Sequence, residues 1–173
     1  MDALIEFGKI LIPASVVLYA AYLLVRSFIQ KDIDIKRLEV RGKAIETVLP
    51  NRLHAYERMT LFLERMSPHN LLVRLNTGSM PAKEFHQVLL AEVRNEYNHN
   101  VSQQVYISEE VWEPIKNAKE DLIVSINDAA GEMEEQSTSL ELSKKIFEKT
   151  MAKTVDPLAH ALTELKREVH RIF

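Results

Sequence analysis

The residues able to do chemistry are scattered through this chain and not grouped. Six histidines stand at positions 54, 69, 86, 99, 160 and 170, and no two are spaced as His-x3-His, so the helical zinc-protease signature is absent. One Glu-x-x-His occurs, Glu96-Tyr-Asn-His99, with Glu92 one turn earlier. A two-metal carboxylate centre in a helical bundle needs two such motifs and two further glutamates on facing helices, and no second copy exists. The sequence has no cysteine, which removes disulfides, thiolate metal sites and cysteine nucleophiles together. No serine sits in a G-x-S-x-G turn, and no glycine-rich phosphate loop is present. The expectation is a protein that is not an enzyme and uses no cofactor, metal or small-molecule substrate. A net charge of −3 gives no general attraction to nucleic acid, which is not expected as a partner.

Two stretches rise above this background. Residues 56–65, Tyr-Glu-Arg-Met-Thr-Leu-Phe-Leu-Glu-Arg, interleave aromatic and Met side chains with charge. Core packing accounts for that pattern, and a groove for a protein partner, through Tyr56, Arg58, Phe62 and Arg65, is the sharper reading. The second stretch is Tyr-Asn-His-Asn-Val-Ser-Gln-Gln-Val-Tyr at residues 97–106, followed by Trp112. Its amide and imidazole groups suit the bracing of a bent connector by hydrogen bonds to free backbone groups. The alternative is a recognition loop that uses Tyr97, His99, Gln103, Gln104 and Trp112.

The elements that must carry these residues are helical. Four Gly and six Pro in 173 residues leave little material for turns, so few, long elements are expected. Between Lys9 and Arg26 lie sixteen uncharged residues, 10–25. Sixteen residues of helix reach about 24 Å against a hydrocarbon core of roughly 30 Å, and Leu4, Ile5, Phe7, Phe28 and Ile29 extend the segment. Lys9 and Arg26 can snorkel to the two interfaces, and Pro13 is tolerable and able to kink the helix. This predicts an anchor over residues 1–30 that spans a bilayer. A cleaved signal peptide fits less well, because Asp2 and Glu6 precede Lys9. A buried core helix would show polar positions, and a surface helix would show a charged face. Arg26, Lys31, Lys36, Arg37, Arg41 and Lys43 follow the segment, whereas Lys9 alone precedes it. That asymmetry places residues 31–173 in the cytoplasm with the N-terminus outside, and Lys9, Arg26, Lys31, Lys36 and Arg37 at the membrane interface. The same cations can touch anionic lipid headgroups.

Beyond the anchor, apolar residues recur at helical spacing. Leu38, Val40, Ala44, Ile45, Val48 and Leu49 run up to Pro50, which is expected to open a new helix carrying Leu53, Tyr56, Met59, Phe62, Leu63 and Met66. Ser67-Pro68 opens a short helix to about residue 75, and Asn76-Thr77-Gly78-Ser79 is a turn. Pro81 begins a helix whose face holds Phe85, Val88, Leu89, Val93 and Tyr97. Residues 101–107 are expected to be an extended connector, since no second strand is available to pair with them. Ser108 caps a helix with Val111, Ile115, Ala118, Leu122, Ile126, Ala129 and Met133 inward, bent near Pro114. Thr138-Ser-Leu-Glu141 matches a capping box for a helix continuing to Val155. Asp156-Pro157 restarts it with Leu158, Leu162, Leu165, Val169 and Ile172 in a row, a coiled-coil spacing about two heptads long. Four or five such helices with short connections make a small antiparallel bundle. Charge is segregated: residues 26–75 carry ten Lys/Arg against six Asp/Glu, residues 109–135 two against nine, and residues 144–171 seven against four. Complementary neighbours within the bundle are suggested; solvated faces of opposite sign account for most individual charges, and a patch for a basic partner around Glu132, Glu134 and Glu135 is the sharper alternative.

The stretch YERMTLFLERMSPHNLLVRL at residues 56–75, EYNHNVSQQVYIS at 96–108 and the Trp112 to Glu120 element together resemble a family of single-pass proteins of Bacteroidota with no assigned activity. The resemblance implies a bacterial inner membrane and transfers no functional residue. The fold class expected is all-α, a transmembrane helix followed by a small cytoplasmic bundle. The function expected is a membrane-tethered scaffold or adaptor with the bilayer and a protein partner, or a second copy, as its contacts. A stalk or accessory subunit of a larger membrane complex, and an enzyme with a non-obvious site, are the alternatives.

Overall fold

Helices make up most of the described chain. The computed structural model describes residues 2–172, with the side chains of residues 2–6, 8, 10, 12, 13 and 44 outside the description. The expectations placed on Leu4, Ile5 and Pro13 fall outside the described residues. The elements are α1 (Asp2–Met66), α2 (Pro68–Leu75), α3 (Ala82–Asn100), a 3-10 helix (Val101–Tyr106), α4 (Glu109–Gly131), α5 (Ser139–Met151) and α6 (Pro157–Ile172). The protein is all-α: among the described residues the sole β-type pairing is one isolated bridge between Pro81 and Thr138. It holds the starts of α3 and α5 together, with Ala82 N–H donating to Ser137 O and Ser139 N–H to Met80 O, both at 2.9 Å.

The chain divides into two units, residues 1–49 and residues 50–173. The first is helix alone, and its large apolar residues from Val16 to Ile29 are exposed. Among the described residues, no helix is long and apolar enough to cross a membrane. The spanning segment expected from the sequence drew on residues 4, 5, 10, 12 and 13, whose side chains fall outside the description.

The second unit is a bundle around one apolar core. Phe62, Met59, Leu63 and Met66 from α1 meet Leu71 of α2, Phe85 and Leu89 of α3, Ile115, Leu122 and Ile126 of α4, Leu142 and Ile146 of α5, and Leu165 of α6. Pro50, expected to open a new helix, instead lies within α1. Proline in a helix interior costs about 3 kcal/mol. The six buried side chains that follow it, Ala55 to Met66, outweigh that penalty, since burying each of the larger ones contributes roughly 1.5–3 kcal/mol.

The connections follow local hydrogen-bond demand. Asn76 Oδ1 accepts from Gly78 N–H at 2.8 Å, and Gly78 takes φ 79°, the left-handed conformation that glycine adopts without strain. Asn76 also anchors this turn to α5, accepting from Ser139 Oγ at 2.8 Å and donating to Ser143 Oγ at 3.0 Å. Residues 101–106 form a 3-10 helix and not the extended connector expected; without a partner strand, i to i+3 bonds satisfy the backbone locally. The capping box at Thr138 and Glu141 is present in both directions. Helix α5 ends at Met151, short of the Val155 expected, and Asp156 Oδ1 starts α6 by accepting from Leu158 N–H at 2.9 Å and Ala159 N–H at 3.2 Å. The inward row of α6 is Leu158, Ala161, Leu165 and Glu168. Leu162 and Val169, expected in that row, flank it half-buried.

Candidate interaction site

The acidic α4 does find basic neighbours. Glu132 receives Lys145 Nζ at 2.7 Å and Lys149 Nζ at 2.6 Å, and Lys153 Nζ meets Asp121 at 2.5 Å. The hydrogen bonds of the two ammonium groups hold the Glu132 carboxyl down to about 2. Glu132 is therefore engaged within the fold, while Glu134 and Glu135, the other two residues of the acidic patch set out as the alternative, are exposed.

The most concentrated polar assembly surrounds a carboxylate inside the bundle. Glu168 is 8% exposed and stands in the apolar row of α6. Ser108, the residue before α4, was expected to cap that helix with its hydroxyl, but it makes no such bond. Its hydroxyl instead donates to Glu168 Oε2, and its N–H donates to Glu168 Oε1 at 3.2 Å. From α1, Tyr56 Oη donates to Glu168 Oε1 at 2.7 Å, and Arg52 Nη2 lies 3.3 Å from the same oxygen. Arg52 is one turn before Tyr56, so both reach one point; Arg52 Nη2 also donates to Tyr56 Oη at 2.7 Å and its Nε to Tyr106 O at 3.2 Å. Four groups from two parts of the chain thus close on one carboxylate.

The electrostatics hold this assembly together as a clamp. Burial alone would raise the Glu168 carboxyl, but hydrogen bonds from Ser108 and Tyr56 and the charge of Arg52 outweigh it and leave the group below its ordinary value. Tyr56 is pushed up to about 12 by burial and by its bond to Glu168, with Arg52 opposing. An ionised, fully engaged carboxylate is a poor base, and a neutral buried phenol is a poor nucleophile. A consequence in alkali follows. A raised folded value means that the contribution of Tyr56 is complete below pH 10, its unfolded value, and is lost as pH climbs toward 12. Wild-type protein is expected to lose roughly 2–3 kcal/mol across that window that Tyr56→Phe does not lose, measured as the difference between their urea midpoints at each pH.

A second assembly holds the 97–106 stretch. Arg58 Nε donates to Asn100 Oδ1 at 3.1 Å and its Nη2 to His99 O at 3.3 Å, while Asn100 Nδ2 donates to Glu96 O at 2.8 Å. Arg65 Nη2 lies 2.7 Å from Glu96 and 3.9 Å from Glu92, which also pairs with Arg74. The glutamates of the Glu-x-x-His motif are therefore committed to arginines, and among the described residues no group of three or more acidic or histidine side chains is placed to hold a metal ion. Phe62, Tyr97 and Trp112 form an aromatic ladder, with ring centroids 6.2 Å and 5.8 Å apart, and Lys119 Nζ sits 4.2 Å from the Tyr97 centroid.

The residues proposed from sequence as partner contacts thus separate. Tyr56, Phe62 and Trp112 are buried in the core, the last two in the aromatic ladder. Arg58, Tyr97 and Gln103 are half-buried; Arg65, His99 and Gln104 are exposed, as is Val105, which follows Gln104. The two stretches, distant in sequence, are brought together by Arg58, whose side chain braces the connector. Sequence reading missed Arg52, Ser108 and Glu168. The available signal was a glutamate in an apolar helical row, a position that burial makes costly without a partner.

Neither curated proteins nor solved structures yielded a match to this chain. One family model matches, and it does so over residues 2–172, which takes in both units. On that extent of match, the chain belongs to the Family of unknown function (DUF7935).

Proposed function

We propose that this protein is a membrane-tethered helical scaffold, an adaptor without catalytic activity whose bundle binds a protein partner at the cytoplasmic face of a bacterial inner membrane. One observation carries the tether. Val16, Val17, Leu18 and Tyr19 are exposed in succession, as are Tyr22 to Val25, with Leu18 at 71% and Phe28 at 79%. Successive residues of a helix turn through about 100°, so four in a row face every direction. One neighbouring helix covers one side of such a segment, whereas lipid covers all of it. Lys9 and Arg26 bracket the segment, and Lys31, Lys36 and Arg37 supply the cationic flank that marks the cytoplasmic side.

Partner binding is assigned to the exposed residues Arg65, His99, Gln104 and Val105, together with half-buried Gln103. The bonds from Arg58 to His99 O and Asn100 Oδ1 restrain the backbone beside His99, which lowers the entropy cost of binding there. A photo-crosslinking side chain at Gln104 in intact cells is expected to give a discrete adduct with another protein. Absence of any adduct at both Gln104 and His99, with the chain recovered free of other proteins from mild detergent, overturns the adaptor reading.

A further inference from the structure

The first unit carries a pattern that runs on beyond the tether. Phe28, Lys31, Ile35, Leu38, Gly42, Ile45 and Leu49 follow one another at steps of three and four, the spacing of positions a and d in a heptad repeat, with Phe28 at a. The helix is continuous through them, and Leu38 and Ile45 stand 67% and 62% exposed, so this seam is open in the single chain. It ends at the boundary between the units: the next step, Arg52, is already committed to Glu168 and Tyr106.

We propose that residues 28–49 pair with the same residues of a second copy as a parallel, two-stranded coiled coil. The charges that flank the seam choose both the occupant and its direction. At the e positions stand Asp32, Glu39 and Glu46, all acidic; at the g positions, Asp34, Arg41 and Val48. An antiparallel pair sets e against e, which faces acid with acid. A parallel pair sets g against the next e, which brings Arg41 of one copy to Glu46 of the other, twice over. It also places Lys31, at a d position, beside Asp32 of the second copy. The like-charge step, Asp34 against Glu39, is outnumbered, and Lys36 and Lys43 flank Glu39 one turn away on its own helix. Asp32 also meets Lys36 of its own helix at 3.1 Å, an exposed pair worth little by itself. Ile35 at a with Leu38 at d favours two strands, and a lysine at a core position fixes register at some cost in stability.

The proposal stands apart from the tether, because the seam between Lys31 and Leu49 carries enough charge to lie in water. The chain has no cysteine, so a single introduced one reports cleanly. In the full chain in detergent micelles, Leu38→Cys and Ile45→Cys are each expected to form disulfide-linked dimers under mild oxidation. Val40→Cys, on the opposite side at an f position, is expected to lag at least tenfold. Gly42→Ile fills an a position where an added Cβ meets nothing within 4 Å in the single chain, and is expected to tighten the dimer by more than tenfold in sedimentation. Equal crosslinking at Val40, no crosslinking at Leu38 and Ile45, or faster crosslinking of a Leu38→Cys and Ile45→Cys mixture than of either alone, each overturns it; the last would show an antiparallel pair. Trp112 fluorescence, which reports the bundle, confirms that each variant is folded.

Discussion

Glu168→Ala is expected to lower the unfolding free energy of the bundle by about 3 kcal/mol, the cost of stripping a buried charge cluster of its shared acceptor. The loss is large because four donors converge on that carboxylate: the hydroxyl and N–H of Ser108, Tyr56 Oη and Arg52 Nη2. Alanine leaves the Ser108 donors and the Tyr56 hydroxyl without that acceptor, leaves Arg52 with Tyr56 Oη and Tyr106 O alone, and leaves a space in the α6 row. Glu168→Gln keeps the volume but turns an amide donor toward existing donors, so a loss of roughly 1–2 kcal/mol is expected. The readout is a urea midpoint followed on Trp112, the single tryptophan, which is buried in the bundle. For the alanine variant, a midpoint drop of about 1–2 M with an unchanged slope is expected. An Arg52→Ala and Glu168→Ala cycle should show coupling above about 0.5 kcal/mol, since the two share partners. The folded carboxyl lies below its ordinary value, so its contribution is complete above an unfolded value of about 4.3 and lost as pH falls through the folded one. Glu168→Ala is thus expected to flatten the acid limb of stability against pH.

Phe62→Ala carries the other large effect and separates core from contact surface. Phe62 is 1% exposed and packs against Tyr97 in the ladder that ends at Trp112. Truncating a buried phenylalanine removes its transfer free energy and leaves a cavity, about 3–5 kcal/mol together. Phe62→Leu retains most of the volume and should cost roughly 1–2 kcal/mol. Were Phe62 a partner contact, either variant would leave the isolated protein as stable as wild type. Gln104→Ala, by contrast, is expected to leave stability within about 0.5 kcal/mol, as for an exposed position with no buried partner.

The helices, their starts and much of the core were readable because each has a local cause. Pro68, the Asn76–Gly78 turn and the capping box at Thr138 act within four residues of where they stand. The rows from Met59 to Met66 and from Val111 to Ala129 face inward as their spacing requires. Long-range terms decided what was misread. Pro50 was read as a boundary on its local penalty, and packing far along α1 overrode it. Ser108 sits where a capping serine belongs, yet its hydroxyl is drawn to Glu168, sixty residues on. Arg58 and the 97–106 connector were read as separate patches because nothing local in sequence reports that forty residues later the chain returns to the same place. Of the partner-contact residues, sequence could supply residue types but not exposure: Tyr56, Phe62 and Trp112 have side chains equally suited to a core and to an interface.

The tether is the claim on which the functional reading depends, and membrane fractionation tests it most directly. Full-length protein expressed in a bacterial host is expected to sediment with membranes, to stay in the pellet after an alkaline carbonate wash and to be released by detergent. A double substitution of Val17→Asp and Leu24→Asp, which puts charge on a segment now apolar on every side, is expected to shift it to the supernatant. Wild-type chain found in the supernatant of the carbonate wash, with the bundle folded by Trp112 fluorescence, would contradict the account.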